Sequence, residues 1–260
     1  MRTVRFRDPA GNVRRGEWSG QPSDEITLRT NYGGRVALGN ETFLPEEIDV
    51  LPPCDPSKIV CVGLNYEDHA AEQNTSVPDR PSFFLKPPSA VAGHGDTITL
   101  PAGKERIDYE AELAVIIGDT CKNVRAKNAM DVIAGYTCLN DISNRDDQSI
   151  EQNWVRGKAF DGSAPIGPVI SRPENVASDA SIRLWVNGDR KQDSTIEELI
   201  VPVAELIEEL TSFMTLQSGD IISTGTPAGV GPLRDGDEVE IEIDGIGTLS
   251  HSVRIPSASL

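Results

Sequence analysis

Glu110 and Glu112 stand two residues apart in the stretch from Asp108 to Gly118, which otherwise reads as a buried β-strand. Alternate side chains of a strand share a face, so the two glutamates point one way while Leu113, Val115 and Ile117 point the other. A repeat of roughly 6.6 Å between alternate residues lets both carboxylates converge on one ion. Hard oxygen ligands of this kind suit magnesium, manganese or calcium. Asp141, in the β-prone run Tyr136 to Arg145, adds a third oxygen if its strand lies beside the first, leaving positions open for water or substrate. Asp108 shares the parity of the glutamates and is not excluded as a ligand. The same residues also fit a solvated strand face, with Asp141 capping a helix.

His69 and Glu72 are spaced i and i+3, neighbours on one helical face, where the carboxylate can orient the imidazole as a base that activates water. Histidine is scarce, with His94 and His251 the other two. Lys86, in Phe83-Phe84-Leu85-Lys86-Pro87, and Lys158, in Arg156-Gly157-Lys158-Ala159-Phe160, sit in apolar or glycine-rich surroundings. A lysine beside a metal can offset a developing oxyanion or grip a substrate carboxylate; a snorkelling lysine at a sheet edge fits the same pattern. The run from Gly219 to Pro232 is a strand entering a glycine-rich loop whose N–H groups could face an anion, with the Thr226 hydroxyl beside them. Neither a P-loop nor a GxGxxG opening a helix is present, so nucleotide binding has little support.

The elements that must position these residues are mostly strands. β-like runs cover Phe83 to Lys86, Ala111 to Ile117, Ile133 to Asn140, Ile182 to Val186, Asp220 to Thr224 and Glu238 to Ile243. Helical patterning is limited to Tyr66 to Gln73, Ala126 to Val132, Ser149 to Val155 and Ile196 to Met214. Without a strict βαβ rhythm or an internal repeat, the pattern predicts a strand-rich α+β fold. Residues 1–53 alternate short β-like pieces with turns such as Tyr32-Gly33-Gly34 and read as a small N-terminal β-rich domain. The prolines Pro52, Pro53 and Pro56 mark a linker to a larger domain, residues 54–260.

Composition narrows the function. The 260 residues carry 41 acidic and 24 basic side chains, a net charge of −17, which argues against a nucleic-acid partner. Apolar runs are strand-sized and fall short of the ~20 residues of a membrane helix. Four cysteines without CxxC spacing, and a start that lacks a secretory apolar region, predict a reduced, soluble, cytoplasmic protein. Only seven of the basic residues are lysines. That balance suits solubility at high salt, and stability unchanged between low and molar salt would remove the halophilic reading.

Taken in order, Asn65-Tyr66-x-x-His69-Ala70-x-Glu72, Phe84-Leu85-Lys86-Pro87, Asp108-Tyr109-Glu110-x-Glu112-Leu113, Asn140-Asp141-x-x-x-Arg145-Asp146, Gly157-Lys158-x-Phe160-Asp161 and Thr224-Gly225-Thr226-Pro227-x-Gly229-Val230-Gly231 closely resemble the fumarylacetoacetate hydrolase family. The resemblance covers roughly residues 58 to 255 and implies a mixed β-sandwich roll. It further implies a divalent metal, usually magnesium, on Glu110, Glu112 and Asp141, with an acid/base dyad of His69 and Glu72. Oxyanion and substrate contacts fall on Lys158, Arg145, Gln148 and Thr226, with Lys86 close by, and a mobile lid on the segment from Gln73 to Ser82. Members usually form homodimers. The implied activity is hydrolysis of a carbon–carbon bond in a β-diketo acid such as an acylpyruvate or fumarylpyruvate, a small-molecule oxo acid. The alternatives are isomerisation of 2-hydroxyhepta-2,4-diene-1,7-dioate or 5-carboxymethyl-2-hydroxymuconate, or decarboxylation of oxaloacetate. The length resembles that of the acylpyruvase and diene-dioate isomerase members. Ala159 replaces the serine usual after the lysine, and Gly162-Ser163 stand where bulkier residues are common, which bears on pocket shape.

Overall fold

After Glu112 the run Ala111–Ile117 is wholly aliphatic, and a strand with no polar face must be covered on both sides. It lies near the middle of a large sheet in the computed structural model, which describes residues 1–32, 35–76 and 80–256. Its antiparallel neighbours are Ile133–Asn140 on one side and Ile221–Ser223 on the other. The sheet continues through Ile59–Val62, parallel to Ile221–Ser223, and ends at Phe83–Lys86. In the other direction it runs through Ala164–Ser171 into Arg2–Arg7, Val13–Glu17, Ile26–Tyr32 and Arg35–Phe43. The strands before the proline linker thus extend the same sheet, through pairing of Arg2–Arg7 with Ala164–Ser171.

Alternation sorts the central strand between two cores. Leu113, Val115 and Ile117 pack with Ile182, Leu184, Val239 and Ile241. These come from a second, five-stranded sheet ordered Asp189–Thr195, Ser181–Val186, Glu238–Ile243, Gly247–Arg254 and Thr97–Thr99. Ala114 and Ile116 face a smaller core with Ile59, Cys61, Phe84 and Leu139. Glu110 and Glu112 share that second face by parity, as the sequence predicts. The result is the strand-rich α+β architecture of mixed, packed sheets.

Three helical expectations change. No helix spans 149–155; single turns Arg145–Gln148 and Val155–Lys158 flank it, because Trp154 adopts a left-handed backbone at φ 55° that ends any right-handed turn. The stretch from Ile196 breaks into a 3₁₀ turn, Ile196–Glu198, and a helix, Val203–Phe213, because Pro202 lacks the N–H needed to continue a helix and instead caps one. Ala126–Val132 is 3₁₀ rather than α. Residues 33–34 of the expected Tyr32-Gly33-Gly34 turn and residues 77–79 of the expected lid lie outside the described residues.

Candidate metal centre and cavity

Strand register brings the acidic residues together. Ala111 pairs with Asn140, and the Asp141 N–H donates to the Glu110 carbonyl at 2.9 Å. The Asn140 side chain locks the same corner: its Oδ1 accepts from the Glu110 N–H at 2.9 Å. Its Nδ2 in turn donates to His251 Nε2 at 2.9 Å, which fixes His251 as the neutral Nδ1–H tautomer. Carboxylate oxygens of Glu110, Glu112 and Asp141 then lie within 4.8 Å of one another. All three are buried, at 4%, 1% and 1% exposure. Solvated carboxylates are therefore ruled out, and so is a capping role for Asp141, since the Asn144 side chain caps the Arg145 turn.

Cations surround the triad. Lys158 Nζ donates at 2.8 Å to both Glu110 Oε2 and Asp141 Oδ2, and lies 4.9 Å from the centre of the Phe84 ring. Arg145 donates to Glu110 Oε1, to Asp108 at 2.9 Å and to Gln148 Oε1 at 2.8 Å. Burial opposes the charge on Glu110, but Lys158 and Arg145 outweigh it and hold the carboxyl well below its usual range. The charge on Lys158 is secured in the same way, burial being overcome by Asp141 and Glu110. Glu112 differs: burial, then the neighbouring Asp141 and Glu110 charges, push it up to about 8. Its support is one hydrogen bond from Ser223 Oγ and one from the Gly225 N–H at 2.8 Å.

These residues fit a divalent cation. The donor set is all oxygen, and an ion would supply the positive charge that Glu112 lacks. Asp141 Oδ1 is buried without a hydrogen bond among the described residues: Lys86 Nζ is 2.8 Å away as an ion pair but off the bonding direction. Lys86 is fully buried and spends its protons on Ile142 O, Ser163 O and Ser163 Oγ, at 3.2, 2.8 and 3.0 Å. It therefore stands behind Asp141, not against substrate. Asp108 is not one of the gathered carboxylates: it lines the cavity with its carboxylate held by Arg106 and Arg145.

A cavity of about 630 Å³ opens in front of the triad, lined by Glu110, Lys158, Arg145 and Gln148, by His69 and Glu72, and by Arg106, Gln73, Phe84 and Trp154. The helix Glu67–Glu72 supplies the His–Glu pair, with His69 Nδ1 3.1 Å from Glu72 Oε2. The other Glu72 oxygen accepts from the Gly229 N–H at 3.1 Å, so the glycine-rich loop anchors the dyad. Glycine is required there: Gly229 has φ +98°, and a Cβ would sit 2.3 Å from Lys191 O. His69 Nε2 meets the Gln73 amide nitrogen at 2.8 Å. Thr226 is buried with its hydroxyl accepting from Gln192 Nε2 at 2.8 Å. Gln192 also donates to Pro227 O and accepts from the Ala111 N–H, at 2.8 and 2.9 Å, tying the loop to the residue between the two glutamates.

The structure thus gathers His69, Glu72, Glu110, Arg145, Gln148 and Lys158 at one cavity, with Glu112 and Asp141 buried beside Glu110. Sequence reasoning missed Arg106, Gln73, Asn140 and Gln192. Asn140 abuts a named ligand and Arg106 shares the parity of Asp108, Glu110 and Glu112, which could have flagged both; Gln192 comes from a distant strand and carries no local mark.

Residues 58–254 match the model of the fumarylacetoacetate hydrolase C-terminal domain. A protein of Archaeoglobus fulgidus is 50% identical over 228 residues, 85% of this chain and 91% of its own length. The oxaloacetate tautomerase YisK of Bacillus subtilis is 38% identical over 251 residues, 91% of this chain and 79% of its own. Among solved structures, a 5-carboxymethyl-2-hydroxymuconate delta-isomerase from Mycobacterium smegmatis superposes with a TM-score of 0.87 at 36% identity, covering 98% of this chain and 100% of that one. With the motif order, the carboxylate triad and the sheet architecture all in agreement, the chain belongs to the fumarylacetoacetate hydrolase family of enzymes.

Proposed function

We propose that the protein is a divalent-metal-dependent hydrolase, with magnesium as the ion, that cleaves a carbon–carbon bond in a β-diketo acid of the acylpyruvate or fumarylpyruvate kind. The carrying observation is that a carboxylate triad and a His–Glu pair serve one cavity. Once Glu112 gives up its proton, Glu110, Glu112 and Asp141 set three negative charges against the three positive charges of Lys86, Lys158 and Arg145. A dication added to that balanced set would favour a dianionic ligand such as an enolised 2-oxo acid. Held by Glu110, Glu112 and Asp141, the ion would act as a Lewis acid toward the oxo acid.

The chain's own groups do the rest. Lys158 has a third N–H beyond the two given to Glu110 and Asp141, and it offsets negative charge on a substrate oxygen. Glu72 holds the His69 Nδ1–H, which leaves Nε2 as the proton acceptor for water once the Gln73 amide swings aside. Phe84 and Trp154 line the wall and limit bulk water around the reacting atoms.

A second reading uses the same residues for proton transfer without adding water: isomerisation of a hydroxydiene dioate, or tautomerisation or decarboxylation of oxaloacetate. The relatives described above, a tautomerase and an isomerase, favour it. One experiment tests both. Acylpyruvates, hydroxymuconates and oxaloacetate are incubated with magnesium or manganese in water enriched in oxygen-18 and, separately, in deuterium oxide. Oxygen-18 in the released carboxylate supports hydrolysis. Solvent deuterium on carbon, or carbon dioxide release, without oxygen-18 supports the second reading, and no metal-dependent turnover of any member overturns both.

A further inference from the structure

Every Arg145 nitrogen already donates to the protein, Nε to Asp108 and the terminal nitrogens to Gln148 and Glu110, which leaves one N–H on each terminal nitrogen. Arg106 lines the same cavity and is placed differently. Its Nε donates to both oxygens of Asp108, at 2.9 and 3.1 Å, and among the described residues neither of its terminal nitrogens hydrogen-bonds to the protein. Asp108 is fully buried and held from its other side by Arg145, so it fixes the Arg106 guanidinium from behind. Gln148 contributes a donor nearby. Arg145 can only donate, so Gln148 must turn its Oε1 to Arg145, which leaves the Nε2 amide for the cavity.

We propose that Arg106, with the Gln148 amide beside it, binds a second, distal carboxylate, so that the site selects dianionic 2-oxo acids over monocarboxylates of the same length. This rests on the proposed reading of the cavity as a metal-dependent 2-oxo-acid site. Two adjacent N–H groups on a rigid fork match the two oxygens of a carboxylate, and the third nitrogen is already anchored, so little rotamer freedom remains to be lost. The Arg106 side chain is 56% exposed. Solvent screening therefore limits the gain, and selectivity of about tenfold is expected, not the several-hundredfold of a sealed pocket.

The test uses the full chain loaded with magnesium, with oxaloacetate as the dicarboxylate and 2-oxobutanoate, in which a methyl group replaces the distal carboxylate, as its partner. Calorimetric Kd values are compared for the parent, R106Q and R106K, alongside NMR of solvent-deuterium exchange at carbon 3. The parent binds oxaloacetate about tenfold more tightly than 2-oxobutanoate. In R106Q that ratio collapses to within about twofold, and R106K restores part of it. A ratio kept in R106Q, or equal losses for both acids, overturns the inference. Magnesium-dependent exchange in the parent reports separately on the proposed function: exchange without Arg106-dependent preference sinks the inference alone, and preference without exchange sinks the functional reading while leaving the carboxylate site.

Discussion

Glu112 is the least supported of the three carboxylates, and its behaviour separates the metal-free protein from the loaded one. With burial pushing its carboxyl from 4.5 to about 8, the folded, metal-free chain keeps a proton that the unfolded chain has lost across that interval. Stability carried by this group is therefore full below pH 4.5 and lost as pH rises through 8. A bound cation must displace that proton, so metal affinity should climb with pH up to about 8, and calorimetry at pH 7 in buffers of different ionisation enthalpy should detect close to one proton released per ion. Heats independent of the buffer would remove Glu112 as a ligand. His69→Ala should leave metal affinity intact and lower turnover by ~10²–10⁴, the range of a lost general base; parent-rate turnover would dissolve the dyad. Among site residues, the triad, dyad and Lys158 were legible from the order of the six motifs, since each spacing alone also fits a solvated surface. Lys86 was legible by type but not by place: whether an apolar-flanked lysine reaches the cavity or backs a carboxylate depends on Ile142 and Ser163, which no local pattern names.

At the scale of elements, the site depends on the joint between Ala111–Ile117, Ile133–Asn140 and the loop from Thr224 to Gly229. Gln192 spans this joint from the other sheet, and Gln192→Leu would leave the buried Ala111 N–H without an acceptor. A loss of about 1–3 kcal/mol is expected, read from urea denaturation midpoints, with weaker metal binding alongside. An unchanged midpoint would mean that the bridge contributes nothing. Ala111–Ile117, Ile133–Asn140 and Glu238–Ile243 were legible from aliphatic or alternating runs. Ala164–Ser171 was not, because Pro165 and Pro168 break the strand pattern although its neighbours cover it on both sides. The helix expected over 149–155 failed on Trp154, whose left-handed backbone no aromatic side chain advertises.

Over the whole molecule, buried titratable groups should shape stability in acid. His251 is 1% exposed, and burial lowers its pKa from 6.5 to about 4. The unfolded chain takes a proton below pH 6.5 that the fold refuses, so stability is full above that value and declines as pH falls toward 4, by up to about 3 kcal/mol. His251→Gln should flatten this limb in denaturation curves measured every half unit of pH; an identical limb would assign it to other groups. Among the described residues no helix is long and apolar enough to cross a membrane. The most direct measurement of the central claim is calorimetric titration of the metal-free chain with magnesium and manganese, beside Glu110→Ala and with the thermal midpoint followed in parallel. The account predicts one ion per chain, a midpoint that rises with ion concentration, and loss of both in the variant. An unaltered midpoint, or binding equally strong in Glu110→Ala, would contradict it.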